Sequence, residues 1–249
     1  MSLSSIPLLS SLFIYTSLSF CIHAQSPVLK EATSENFITN KRSIYKENLS
    51  QLDKYRKNQA ATYKNANNTE KKVILKQVKA RLEAELCTNV FPAWYGTPWD
   101  FNGISKTPGE GKIACGYFVS TCLVHIGYNV PRIKLAQQPS QRIIKTFVQR
   151  SGMDISSQRS MDKIRTQLKQ SGNGIYIVGL DTHVGFVTVE DDTMTFVHSS
   201  YYRPARAVTA ELIDTKNPLS DSKYRVFGKL FSDKMLINWL QNHRYTVAR

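Results

Sequence analysis

The feature that most constrains this chain is a change of period. Up to about residue 172 its apolar residues recur at helical spacing. From Gly174 they come instead in short β-rich runs, "GIYIVGL", "HVGFVTVE" and "TMTFVHSS", separated by turn residues. Connections that short join antiparallel strands, because parallel neighbours need a crossover of roughly a dozen residues or more. The runs "ARAV" and "KYRVFGKLF" continue the pattern, and "SDKMLINWLQNHR" closes the chain as a helix capped by Ser232. Helices first and strands later predict an α+β fold with an antiparallel sheet.

Upstream of the strands the reading is helical. Residues 25–68 are polar, with a loosely packed helix expected around 44–63 and a break at "NANN". Ile74, Val78, Leu82 and Leu86 then form an apolar stripe, with Thr69 as the expected N-cap and Glu70 at the positive end of the dipole. Pro and Gly in "NVFPAWYGTPWDFNG" argue against regular structure there. "NVPRI" reads as extended, Pro139 can start a helix through about Arg150, and "SMDKIRTQLKQSG" reads as a helix between Ser160 and Gly172. The expected division is a leader at 1–24, a helical segment at 25–90 and the main domain at 91–249.

Within "GKIACGYFVSTCLVHIG", Phe118, Val119, Cys122, Leu123 and Ile126 share a helix face with Cys115, which falls in the first turn. Unpaired N–H groups and the dipole at a helix start stabilise a thiolate, so Cys115 is a candidate nucleophile with a lowered pKa. Gly116 lets a backbone or a substrate come close. Cys122, two turns inward, reads as core. Seven residues of helix separate the two cysteines by roughly 10 Å, too far for a disulfide, which needs Cα atoms within about 7 Å. Cys87 is then the only partner open to either; a Cys87–Cys122 bond, or none, leaves Cys115 as a thiol.

The strands flanking Asp191-Asp192 pair residues whose numbers sum to 383, setting Val189 opposite Met194 and Gly185 opposite His198. His183 then lies on the diagonal from His198, on the same face and within reach of an imidazole–imidazole hydrogen bond. His125 points roughly 80° away from Cys115 around its helix. A thiol, a base and a third polar group that orients the base support acyl transfer: Cys115 attacks, His183 moves the proton and His198 orients it. The Cys115 N–H and neighbouring donors would hold the oxyanion. A zinc site on the same three residues is the rival, but no CxxC, HxH or HExxH spacing accompanies it. No metal or cofactor is expected.

These motifs, "ACGYFVSTCL", "THVGFVTV" and "FVHSS", resemble those of the NlpC/P60 family of papain-like cysteine peptidases over about residues 91–210. CHAP amidases share much of the His-Val-Gly pattern, and His198 favours NlpC/P60. The resemblance implies a papain-like domain, an antiparallel sheet packed against the helix that carries the cysteine, with Cys115 as nucleophile, His183 as general base and His198 as its orienter. It also matches Tyr95 to a tyrosine that precedes the family's cysteine. Ala114 and Gly116-Tyr117 stand where the family usually has Asp before the cysteine and Ser-Gly after it, and 128–173 reads as an insertion. Trp94, Trp99 and Phe101, in a loop stiffened by proline and glycine, are candidates for a substrate-groove wall.

Residues 1–24 carry no acidic or basic side chain and read as a secretory signal peptide, so the expected location is secreted or periplasmic. The chain has 33 Lys and Arg against 19 Asp and Glu, a net +14. That charge attracts anionic polymers, and for an exported protein envelope polymers come before nucleic acid, for which no motif is present. No later segment suits a membrane span. The expectation is a cysteine hydrolase acting on an amide in peptidoglycan stem peptides or a similar peptide. An acyltransferase or amidase of the same fold on another substrate, and a non-catalytic envelope-binding module, are the alternatives.

Overall fold

The computed structural model describes residues 34–249, with side chains from residue 42. The leader expected at 1–24 lies outside the described residues. The chain begins with two helices, α1 (Ser34–Asn65) and α2 (Asn68–Glu85). A π-helical turn at Leu86–Val90 leads directly into α3 (Phe91–Trp94). Regular structure thus persists to Trp94, further than expected, because Pro92 falls in the first turn of α3, where a missing N–H costs nothing. The N-cap of α2 is Asn67 rather than Thr69. Its side chain accepts from the Thr69 and Glu70 N–H groups, and Glu70 reaches back to the Asn67 N–H, closing a capping box.

After an irregular stretch come α4 (Cys115–His125), α5 (Arg132–Ala136) and α6 (Ser140–Lys145), so helix replaces part of the extended segment expected at 129–133. Strand β1 (Met153–Ser157) and helix α7 (Met161–Ser171) follow, then β2 (Gly174–Leu180), β3 (Val184–Glu190), β4 (Thr193–Ser199) and β5 (Val208–Leu212). The chain ends with α8 (Pro218–Asp221), β6 (Tyr224–Lys229) and α9 (Asp233–Leu240), whose cap Ser232 accepts from the Met235 N–H. The six strands form one antiparallel sheet in the order β1-β6-β2-β3-β4-β5. The protein is therefore α+β, with Val189 facing Met194 as the turn at Asp191-Asp192 dictates.

Alternation along the strands divides the interior in two. Ile177, Phe186 and Val197 point toward α4, joining Phe118 and Leu123. Val178, Val187 and Phe196 point the other way, against Ile164 and Leu168 of α7. The first of these clusters also contains Leu52 of α1, Val78, Leu82 and Leu86 of α2, and Trp239 of α9. The N-terminal helices are therefore built into the same core as the sheet, not loosely packed beside it. Tyr45 Oη lies 2.7 Å from His125 Nδ1, tying α1 to the end of α4. No helix among the described residues is long and apolar enough to cross a membrane.

Candidate functional site

Cys115 is the first residue of α4, and the chain entering it is held from several sides. The Ile113 N–H donates to the Pro98 carbonyl, the Ala114 N–H to the Gly103 carbonyl, and the buried Ser199 hydroxyl to the Ile113 carbonyl at 2.7 Å. A Cβ on Gly116 would lie 2.2 Å from the Ala136 carbonyl oxygen, so the glycine admits the backbone at the end of α5. Pairing of β3 with β4 runs from Glu190↔Thr193 to Phe186↔Val197. Beyond it, Val184 at the start of β3 and Ser199 at the end of β4 both turn to the helix start. The Val184 N–H donates toward the Cys115 sulfur, which places the thiol one residue past His183. Cys115 keeps part of its surface accessible, whereas Cys122 is fully buried; no disulfide joins Cys87, Cys115 and Cys122.

The two histidines meet as the register requires. His183 Nε2 lies 2.8 Å from His198 Nδ1, with the rings nearly perpendicular. His198 stacks on Phe196 at 3.9 Å between ring centres, and its Nε2 lies 2.9 Å from Glu211 Oε2. A Cβ on Gly185 would sit 2.8 Å from His198 Cβ, so the glycine of "HVG" makes the room these rings occupy. Both histidines are buried. His183 Nδ1 is buried with no hydrogen-bond partner, leaving one ring nitrogen uncommitted on the residue before Val184. His198 has committed both of its nitrogens, which removes it as a metal ligand, and no cluster of three or more His, Cys, Asp or Glu among the described residues has metal-holding geometry.

Burial sets the protonation states. It lowers His183 well below the ordinary imidazole range, with the neighbouring His198 adding to the effect, and lowers His198 to about 3. It raises the Cys115 thiol, and the opposing N–H groups of Val184, Gly116 and Cys115 itself do not overcome it. The lowered thiol pKa expected from the helix start is thus not the net result. All three groups are neutral near pH 7. The helix donors remain aimed at the sulfur, where negative charge would develop.

The aromatic candidates separate. Trp94 is fully buried, edge-on to Phe118 and stacked on His125, and belongs to the core rather than to a groove wall. Tyr95 is exposed but lines a hollow with Arg42, Tyr45, Asn89 and Pro108, on the α1 side. Trp99 is half-buried; its ring lies 5.9 Å from Tyr201, which lies 5.2 Å from His183, and the Arg206 guanidinium covers Trp99. Trp99 therefore stands one ring removed from the histidines, while Phe101 is strongly exposed.

Tyr201 and Glu211 join the site without a local sequence signal. The expected strand "ARAV" ends at Val208, where β5 begins, so the register that carries Glu211 beside His198 lies beyond it. The known protein families, curated proteins and solved structures contain no match to this chain.

Proposed function

We propose that this protein is a cysteine hydrolase with a papain-like, NlpC/P60-type domain, cleaving an amide bond in peptidoglycan stem peptides or a related peptide. The observation that carries the reading is the His183–His198 pair, bonded at 2.8 Å with His183 Nδ1 buried and unpartnered, one residue before Val184, whose N–H donates toward the sulfur of the helix-start Cys115. The family resemblance of "ACGYFVSTCL", "THVGFVTV" and "FVHSS" supplies the substrate class. The net charge of +14 suits anionic envelope polymers, and the leader suits export.

With thiol and imidazole both neutral at rest, attack is base-assisted. The thiol proton passes to His183 Nδ1 as the sulfur bonds to the carbonyl carbon. Charge on the former carbonyl oxygen is met by the first N–H groups of α4. The proton then goes to the leaving amine as the C–N bond breaks, and water releases the acid and restores the thiol. Trp99 and Tyr201 form the wall nearest the base.

Iodoacetamide labelling at neutral pH, read by intact mass, tests this. Rapid labelling of Cys115 that is lost in His183→Ala supports catalysis. An ordinary thiol rate in both proteins refutes it and leaves a binding module. Digestion of purified cell wall adds the substrate: release of peptide fragments should disappear in Cys115→Ala. Rapid labelling without any release would move the activity to acyl transfer on a non-wall substrate.

A further inference from the structure

The histidine pair does not end at His198. Glu211 Oε2 lies 2.9 Å from His198 Nε2, and Glu211 comes from β5, where it faces Phe196 and so shares a sheet face with His198. Its side chain is about one-quarter exposed, so the carboxylate touches solvent at one end and a fully buried ring at the other. A carboxylate has acceptors only, whereas a neutral imidazole has one donor and one acceptor. Those two facts propagate. His198 must carry its proton on Nε2 to donate to Glu211, which leaves its Nδ1 as an acceptor. His183 must then donate from Nε2, and its Nδ1 is left bare. That is the nitrogen found buried and without a partner.

Resting on the hydrolase reading for its purpose, we propose that Glu211 is a positioning residue. It fixes the tautomers of both buried histidines so that His183 Nδ1 is left unprotonated and able to take the thiol proton. Without the carboxylate, either direction of the His183–His198 bond is open. In the reversed direction His183 carries its proton on Nδ1 and has nothing there to accept a thiol proton. Burial supports the argument by keeping both rings neutral, since an imidazolium would donate from both nitrogens and erase the distinction.

The test is the tautomer itself, read by two-bond proton–nitrogen correlations in full-length protein labelled with 15N-histidine. Wild type should show His183 and His198 both protonated on Nε2. Glu211→Ala should mix or reverse the forms, and Cys115 labelling by iodoacetamide should fall at least roughly tenfold, within the roughly 10⁴-fold loss a wrong tautomer brings to a serine triad. Glu211→Gln, whose amide can accept or donate, should fall between the two. His183 protonated on Nδ1 in wild type overturns the proposal even if Glu211→Ala fails to fold. So do unchanged tautomers and labelling in a folded Glu211→Ala. Correct tautomers beside an unreactive Cys115 would sustain the role of Glu211 while refuting the hydrolase reading, so the two failures are told apart.

Discussion

A single methyl group at Gly185 tests the histidine arrangement. The Cβ of Gly185→Ala would lie 2.6 Å from Phe196 Cε2, 2.8 Å from His198 Cβ and 3.0 Å from the Val197 carbonyl oxygen. The Phe196 ring edge can yield, but the other two atoms are held near the backbone by pairing of β4 with β3 and β5. Phe196 also stacks on His198, so it cannot shift alone. Overpacking of this kind costs about 1–3 kcal/mol. For a chain of this size that lowers Tm by about 2–12 °C, measured by circular dichroism. The functional loss should exceed the stability loss, because the displaced ring is the one bonded to His183 at 2.8 Å. At a temperature where the variant is fully folded, iodoacetamide labelling of Cys115 should fall at least roughly tenfold, as expected when a working histidine loses its orienting partner. A Tm within about 1 °C of wild type, or a lowered Tm with unchanged labelling, would refute the reasoning.

His198→Ala should slow peptide release less than His183→Ala, because it removes the orienting group and not the base; wild-type release in His198→Ala would remove it from the site. Burial, with Arg132 nearby, lowers His125 from 6.5 to about 4 in the folded protein, so the folded state keeps it neutral while the unfolded chain takes up a proton. Its contribution is present above about pH 6.5 and is lost as pH falls toward about 4, by about 3 kcal/mol. In urea titrations at about pH 7 and about pH 4, His125→Gln should lose correspondingly less stability than wild type; equal losses would refute the assignment. Leu52 of α1 lies in the main core, so Leu52→Ala should cost about 2–5 kcal/mol in one cooperative transition, and a negligible loss would show α1 to be an appendage.

Where a strong local rule acted alone, the sequence was readable. The Asp191-Asp192 turn and the apolar runs around it fixed the register of β3 and β4, and hence the meeting of His183 with His198. The apolar face opening at Cys115 fixed α4. Where a residue's state depends on distant partners, local rules failed. The "MDISS" of β1 alternates apolar and polar residues only over Met153 to Ser156, too short a run to mark a strand, and its pairing with β6 joins segments about seventy residues apart. Trp94 carries the same local signature as Trp99, and only packing against Phe118 and His125 sends one inward and leaves the other near the site.

The thiol's protonation belongs to that second kind, and it changes the chemistry the site can support. Helix-start donors alone would favour a resting thiolate, and a thiolate needs no base. Here the same burial that raises Cys115 lowers both histidines, so sulfur and ring share a neutral resting state. A neutral pair can react only by passing the thiol proton to a base, which requires a ring nitrogen that is bare and free to accept. His183 Nδ1 is bare only if its other nitrogen donates, which depends on His198 and, through it, on Glu211. On the proposed reading, the carboxylate at the sheet edge and the sulfur at the helix start are two ends of one chain of hydrogen-bond choices. Breaking that chain at Glu211 should therefore cost reactivity at a cysteine it never touches.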